Sequence, residues 1–249
     1  MIFDAHLHVG FFPRKDRKGG EAYYYSPSRL MQYVKWAGID EFIVSSTNAC
    51  WDPHAESMHS EALELKRLAG AKCHPFFWLT REYLKWDGLL RKIPEFYEGI
   101  KLHGGESHWT EFPDDLSRVL SVAQEHNLPV QLHTGKDEAN SCLAYLPFCR
   151  KFPRVRFDLA HGWPLDGALQ ALASCDNVWV DVAFVETTTA EALFHAFPKR
   201  ILFGTDFPAP LRFFHVSGTR YLRKYIKTMR AIGGEALMHR NAMEYMRIG

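Results

Sequence analysis

Paired cysteines, charge of one sign and long apolar runs are all scarce in this chain of 249 residues. The five cysteines (50, 73, 142, 149, 175) are scattered, odd in number and never spaced Cys-x-x-Cys. That argues against a disulfide framework or a thiolate metal site and for a reducing compartment. Lys and Arg number 30 against 29 Asp and Glu, and the formal net charge of +1 exerts no strong pull toward nucleic acid or an anionic membrane. The one basic cluster, Arg14-Lys15-Asp16-Arg17-Lys18, reads as a solvated loop. No apolar run approaches the roughly 18–20 residues that span a bilayer. The N-terminus lacks the basic-then-apolar signature of a signal peptide, so a cytoplasmic protein with neither membrane nor nucleic-acid partners is expected. Linkers, low-complexity segments and short-period repeats are also missing, and residues 1–249 are expected to form a single domain.

What the chain does have is alternation. Short strand-like runs occur at 2–8, 42–45, 73–79, 99–103, 129–133, 155–161, 178–182 and 200–206. Helical periodicity separates them, as in Leu30, Tyr33, Val34 and Ala37 after Ser26-Pro27, with Gly38 as a stop. Eight such units call for parallel strands with crossover helices, and about 250 residues is the size of a (β/α)8 TIM barrel. A doubly wound open sheet is the alternative. The stretch from Gly10 to Tyr25, rich in aromatics and without apolar periodicity, reads as a lid.

The chemistry clusters at strand ends. In Asp4-Ala5-His6-Leu7-His8, the period of two puts His6 and His8 on one face, with Asp4 below them. In a barrel the active site lies at the C-terminal strand ends, and those ends here carry His6, His8, Lys101, His103, His133, His161 and Asp206. Lys101 and His103 share a face, while Leu7, Ile100 and Leu102 turn toward the helices. A single strand-end histidine is unremarkable, but five of the chain's 13 at strand ends are not. In the following loops, Trp51, His54, Arg81, His108, Trp109, Arg212 and His215 are candidates for lining a substrate pocket. Arg81 and Arg212 are suited to clamp an anion.

Asp-x-His-x-His on strand one, Gly-Ile-Lys-Leu-His on strand four, His133, Ala-His-Gly at 160–162 and Gly-Thr-Asp-Phe-Pro at 204–208 together resemble the amidohydrolase superfamily. More narrowly they resemble the amidohydrolase-related branch that includes aminocarboxymuconate-semialdehyde decarboxylase. The resemblance spans nearly the whole chain. It implies a distorted (β/α)8 barrel with a divalent metal held by His6, His8, His133 and Asp206, and His161 beside the metal-bound water or substrate. Imidazole and carboxylate donors suit Zn²⁺ or Mn²⁺, and a bound ion brings the pKa of water to about 7. Asp206 then takes the proton of the attacking water, and His161 orients that water or stabilises the oxyanion. Lys101 stands where related members carry a carboxylated lysine bridging two metals. Otherwise it is an ammonium that binds a substrate carboxylate or pairs with Asp206 or Asp4. One ion is expected, with a second only if Lys101 is carboxylated, and His103 shares the bridging or substrate-binding position.

The leading functional expectation is hydrolysis of a small-molecule amide, lactone or ester by metal-activated water. Decarboxylation of an unsaturated or aromatic acid is the alternative. A TatD-like phosphoesterase fits less well, because that branch normally shows a glutamate where this chain has Lys101. A barrel kept only for binding would have no use for a full set of competent ligands. The sequence leaves the substrate, the metal and any homo-oligomeric state open.

Overall fold

The runs of β-branched and aromatic residues that the sequence sets between helices line up as neighbours in one sheet. The computed structural model describes residues 1–12, 23–50, 60–86, 88–213 and 218–248. Among these residues nine strands follow in chain order: β1 Phe3–Phe12, β2 Tyr23–Tyr25, β3 Glu41–Ser46, β4 Cys73–Leu79, β5 Gly99–His103, β6 Val130–His133, β7 Phe157–Ala160, β8 Val178–Asp181 and β9 Ile201–Leu202. The sheet order is β2-β1-β3-β4-β5-β6-β7-β8-β9, parallel throughout except for β2, which pairs antiparallel with β1. The ends of this sheet meet. Ala5 N donates to Phe203 O, Asp206 N to His6 O and His8 N to Phe207 O, each at 2.8 Å, so the first and last parallel strands close a ring. This is the expected eight-stranded (β/α)8 barrel, and the closure excludes an open doubly wound sheet.

The helices are α1 Pro27–Ala37, α2 Ser60–Ala69, α3 Leu89–Phe96, α4 Gly104–Ser107, α5 Pro113–Glu125, α6 Cys142–Lys151, α7 Leu165–Ser174, α8 Thr187–Ala196, α9 Ala209–Phe213, α10 Gly218–Glu235 and α11 Asn241–Met246. None of the described helices is long and apolar enough to cross a membrane. The start of α1 behaves as its residues demand. Ser26 Oγ accepts from Arg29 N, Pro27 is the first helical residue, and Gly38 closes the helix at φ 68°. Between β4 and β5, a short 3-10 turn at Arg81–Lys85 precedes α3, which begins after Gly88 at φ 81°. Within the stretch expected as a lid, Tyr23–Tyr25 pairs antiparallel with Gly10–Phe12 as β2, while residues 13–22, the basic cluster among them, lie outside the described residues.

Two apolar layers result. Leu7, Val9, Ile100, Leu102, Leu132 and Leu159 face outward onto the helices, as their strand parity requires. Phe3, Ala5, Ile43, Phe76, Trp179 and Leu202 fill the lower barrel, where Ala242, Tyr245 and Met246 of α11 seal the floor. Cys73, Cys142, Cys149 and Cys175 are buried free thiols within this packing.

One expectation about β1 needs correction. Phe3 and Ala5 belong to the inner layer and Leu7 and Val9 to the outer one, so alternation fails between them. The pairing of β1 with β3 shifts register between Asp4 and Leu7, the mark of a β-bulge. Ala5 and His6 therefore both turn inward, and Asp4 does not lie below the two histidines. Its carboxylate accepts from His6 N (3.1 Å), Thr205 N (3.0 Å) and Thr205 Oγ1 (2.7 Å), pinning the bulge to the segment after β9. Burial pushes this carboxyl up to about 7 against those bonds.

Candidate active site

The bulge sends His6 and His8 into the barrel mouth from the end of β1. His6 Nδ1 meets Asp181 Oδ2 at 2.9 Å. A carboxylate can only accept, so this nitrogen carries the proton and Nε2 offers its lone pair. His8 Nδ1 is held by Ser45 Oγ at 3.0 Å. The two Nε2 atoms lie 3.1 Å apart, and Asp206 Oδ1 is 3.2 Å from that of His8 and 3.7 Å from that of His6. Donors about 2.0–2.2 Å from a tetrahedral ion sit roughly 3.3–3.6 Å from one another. Two imidazole nitrogens and a carboxylate oxygen at these spacings therefore fit a divalent cation (His6, His8 and Asp206 form one of the two candidate ligand groups among the described residues).

Electrostatics prepare these donors. Burial, reinforced by the Lys101 ammonium, drives His6 down to about 3, and burial lowers His8 as well. Burial opposes the charge on Asp206, but His8, His6 and His161 outweigh it and hold the carboxyl well below its ordinary range. At neutral pH the cluster is two neutral imidazoles and one carboxylate, the form that binds a metal. Lys101 is fully buried, with Nζ 3.1 Å from His6 Nε2.

His161 Nδ1 donates to Ala183 O at 2.7 Å, so its Nε2 is the acceptor for His133 Nδ1 at 3.2 Å. That leaves His133 Nε2 as a lone pair. His133 stacks on His103 (ring centroids 3.8 Å apart), and His103 stacks on Trp78 (5.6 Å). Burial, with Lys101 next, lowers His103 to about 3. The structure thus gathers His6, His8 and Asp206 tightly and reaches His133 one ring further on, through His161.

The family model for amidohydrolases matches residues 87–243. The chain belongs to the amidohydrolase family. No curated protein matches its sequence. Among solved structures, IDCase from Metarhizium anisopliae, in apo form, superposes with a TM-score of 0.73 at 16% identity, over 99% of this chain and 97% of that one. The probable 2-pyrone-4,6-dicarboxylic acid hydrolase of Acinetobacter baumannii, holding citric acid, gives 0.71 at 12%, over 99% of both chains. The 5-carboxyvanillate decarboxylase of Novosphingobium aromaticivorans, complexed with manganese, gives 0.64 at 12%, over 88% and 80%. At such identities the likeness speaks for the shared barrel.

The remaining candidates in this amidohydrolase-family chain divide by placement. Arg81 is committed to Asp115 (3.1 Å) and to the ring of Phe112. Trp109 is fully buried in the outer apolar layer. His108 is exposed beside Glu111. Trp51, His54 and His215 lie outside the described residues, as does the side chain of Arg212. Sequence reasoning passed over Asp181 and Ser45, which hold the two β1 imidazoles. A signal was present, since Asp181 ends an otherwise apolar strand and Ser45 follows the apolar run Phe42-Ile43-Val44.

Proposed function

We propose that this amidohydrolase-family chain hydrolyses a small-molecule ester, lactone or amide using one divalent ion, Zn²⁺ or Mn²⁺, held by His6, His8, His133 and Asp206. The observation that carries this reading is the anionic Asp206, 3.2 Å from His8 Nε2 and with 13% of its side chain open to solvent, beside two sealed imidazoles. A bound ion of this kind supplies Lewis acidity to a carbonyl oxygen and brings the pKa of water to about 7. Asp206 takes the proton of the attacking water on its carboxylate and delivers it to the leaving group. His161, fixed by Ala183 O, stands against His6 with ring centroids 5.1 Å apart and uses its Nε2 lone pair to orient the attacking water.

Beside this centre lies a cavity of about 860 Å³ whose lining includes Lys136, Trp163, Phe184, Tyr221 and Tyr225. Trp163 lines it, and the ring of Trp163 lies 5.5 Å from that of His161. That volume suits a small molecule. Its aromatic walls and the Lys136 ammonium also favour a second reading, decarboxylation of an aromatic acid, the class of reaction named for the Novosphingobium neighbour.

Metal analysis of protein purified without chelator, joined to a substrate panel, separates the readings. Turnover of an ester, lactone or amide that is lost on chelation and restored by Zn²⁺ or Mn²⁺ is expected. Carbon dioxide release from aromatic carboxylates, with esters, lactones and amides left intact, overturns the hydrolase in favour of the decarboxylase.

A further inference from the structure

Behind the candidate centre, the barrel interior holds two fully buried carboxylates and one amide that the proposed chemistry does not use. Gln131 on β6, Asp158 on β7 and Asp181 at the end of β8 project into the same space. Asp158 Oδ1 accepts from the backbone N–H of Asp181 at 2.9 Å, and its Oδ2 accepts from Gln131 Nε2 at 2.8 Å. Gln131 Nε2 also donates to Ala5 O at 3.0 Å, the carbonyl just before His6, and lies 3.4 Å from Asp181 Oδ2. One amide therefore ties β1, β6, β7 and β8 together below His6.

Asp181 uses each oxygen differently. Oδ1 accepts from the backbone of His161 (3.2 Å) and Ala183 (2.9 Å), while Oδ2 faces His6 Nδ1 at 2.9 Å. A single carboxylate thus fixes both the ring of His6 and the main chain of His161, whose φ is 70°. Two carboxylates this close in a dry interior cannot both be charged cheaply. Donors converge on Asp181 from four directions. Asp158 lacks such support, and burial, with Asp181 next to it, raises its carboxyl well above the ordinary range.

We propose that Asp181, held in place by Gln131 and Asp158, is a positioning residue that locks His6 in the tautomer offering Nε2 to the metal. The proposal rests on the metal reading above for its consequence, though not for its geometry. An imidazole whose far nitrogen is held by a carboxylate is fixed in orientation and is a more basic ligand. The same carboxylate, accepting from His161 N, registers the ligand against the residue that orients the water.

Three measurements test it on the full chain. In metal-free wild-type protein, long-range ¹H–¹⁵N spectra of the histidine rings will show His6 protonated at Nδ1, assigned by the signal lost in His6→Gln; a His6 protonated only at Nε2 overturns the proposal whether or not metal binds. In chelator competition with Zn²⁺ alone, Asp181→Asn will weaken binding about 10–100-fold, and unchanged affinity in a folded Asp181→Asn overturns it. Asp158→Asn, which mimics a neutral carboxyl, will stay within about threefold of wild type if Asp158 only supports Asp181, whereas a loss equal to that of Asp181→Asn overturns the division of roles. Wild-type protein that takes up no Zn²⁺ would remove the metal reading while leaving the tautomer result to stand or fall by itself.

Discussion

Asp206 and His161 share a backbone feature. Both are non-glycine residues at positive φ, 54° and 70°. Such conformations cost on the order of 1–3 kcal/mol each and persist where surrounding structure over-determines them. Here Asp206 N is bonded to His6 O and its carbonyl to Ala209 N, so the carboxylate is aimed by the same ring closure that carries the histidines. Asp206→Asn and His133→Ala are expected to lower Zn²⁺ affinity by more than about 100-fold, beyond what outer partners of a ligand contribute, with circular dichroism nearly unchanged. Full activity in either variant removes that residue from the site. The protonation of the cluster gives a pH prediction. His6 titrates near 3, and His8 is likewise below its ordinary value, both chiefly through burial. Each stays neutral through the range where an exposed histidine, at about 6.5, takes up a proton. Protons begin to compete with metal only as pH falls toward the lowered values, so occupancy measured by equilibrium dialysis should show no step at about 6.5, where an exposed histidine titrates. A midpoint near 6.5 would show that these imidazoles are not sealed. The strand-end histidines and Asp206 were legible because parity and barrel topology single out such positions. Gln131, Asp158 and Asp181 were not, because a lone polar residue inside an apolar strand reveals its partners only once the register is known.

At the level of elements, the decisive local event is the bulge in β1. Strand periodicity alone places Asp4 beneath His6; the extra inward residue sends its carboxylate to Thr205 instead. A bulge leaves little trace in one sequence, which is why this contact was missed while the His6–His8 pairing was read correctly. The tyrosine run 23–25 was ambiguous for a related reason. Aromatics suit both a lid and a hairpin edge, and only pairing with Gly10–Phe12 decides. The glycine before Thr205 has a readable purpose. A Cβ on Gly204 would stand 2.9 Å from His6 Cβ and 3.2 Å from Ala183 Cβ, contacts that the closed ring leaves little room to relieve. Gly204→Ala is therefore expected to cost about 1–3 kcal/mol in denaturant melts and to weaken metal binding by displacing His6. Unchanged stability together with unchanged affinity would show that β1 can yield at this point.

For the whole molecule, the eight-unit alternation makes the barrel legible in the sequence, because parallel strands with crossover helices satisfy it. Its closure was less visible, since β9 is two residues long and the ring is completed by irregular backbone, residues 203–207, against residues 5–8. Three of the four proposed ligands, His6, His8 and Asp206, straddle that seam. Metal should therefore act as a clasp, since a ligand that binds only the native state stabilises it. Chelation is expected to lower the melting temperature and to raise amide exchange first at residues 5–8 and 203–207. Uniform acceleration across all strands, or none, would count against a clasp.

Asp4 and Thr205, bonded to each other, are 201 residues apart in sequence. A chain still emerging from the ribosome has both β1 imidazoles long before it has the carboxylate that completes their group. Capture of an ion by the proposed group would have to await residue 206, and a product truncated before it would carry His6, His8 and His133 on an unsealed sheet, a species for quality control rather than for catalysis.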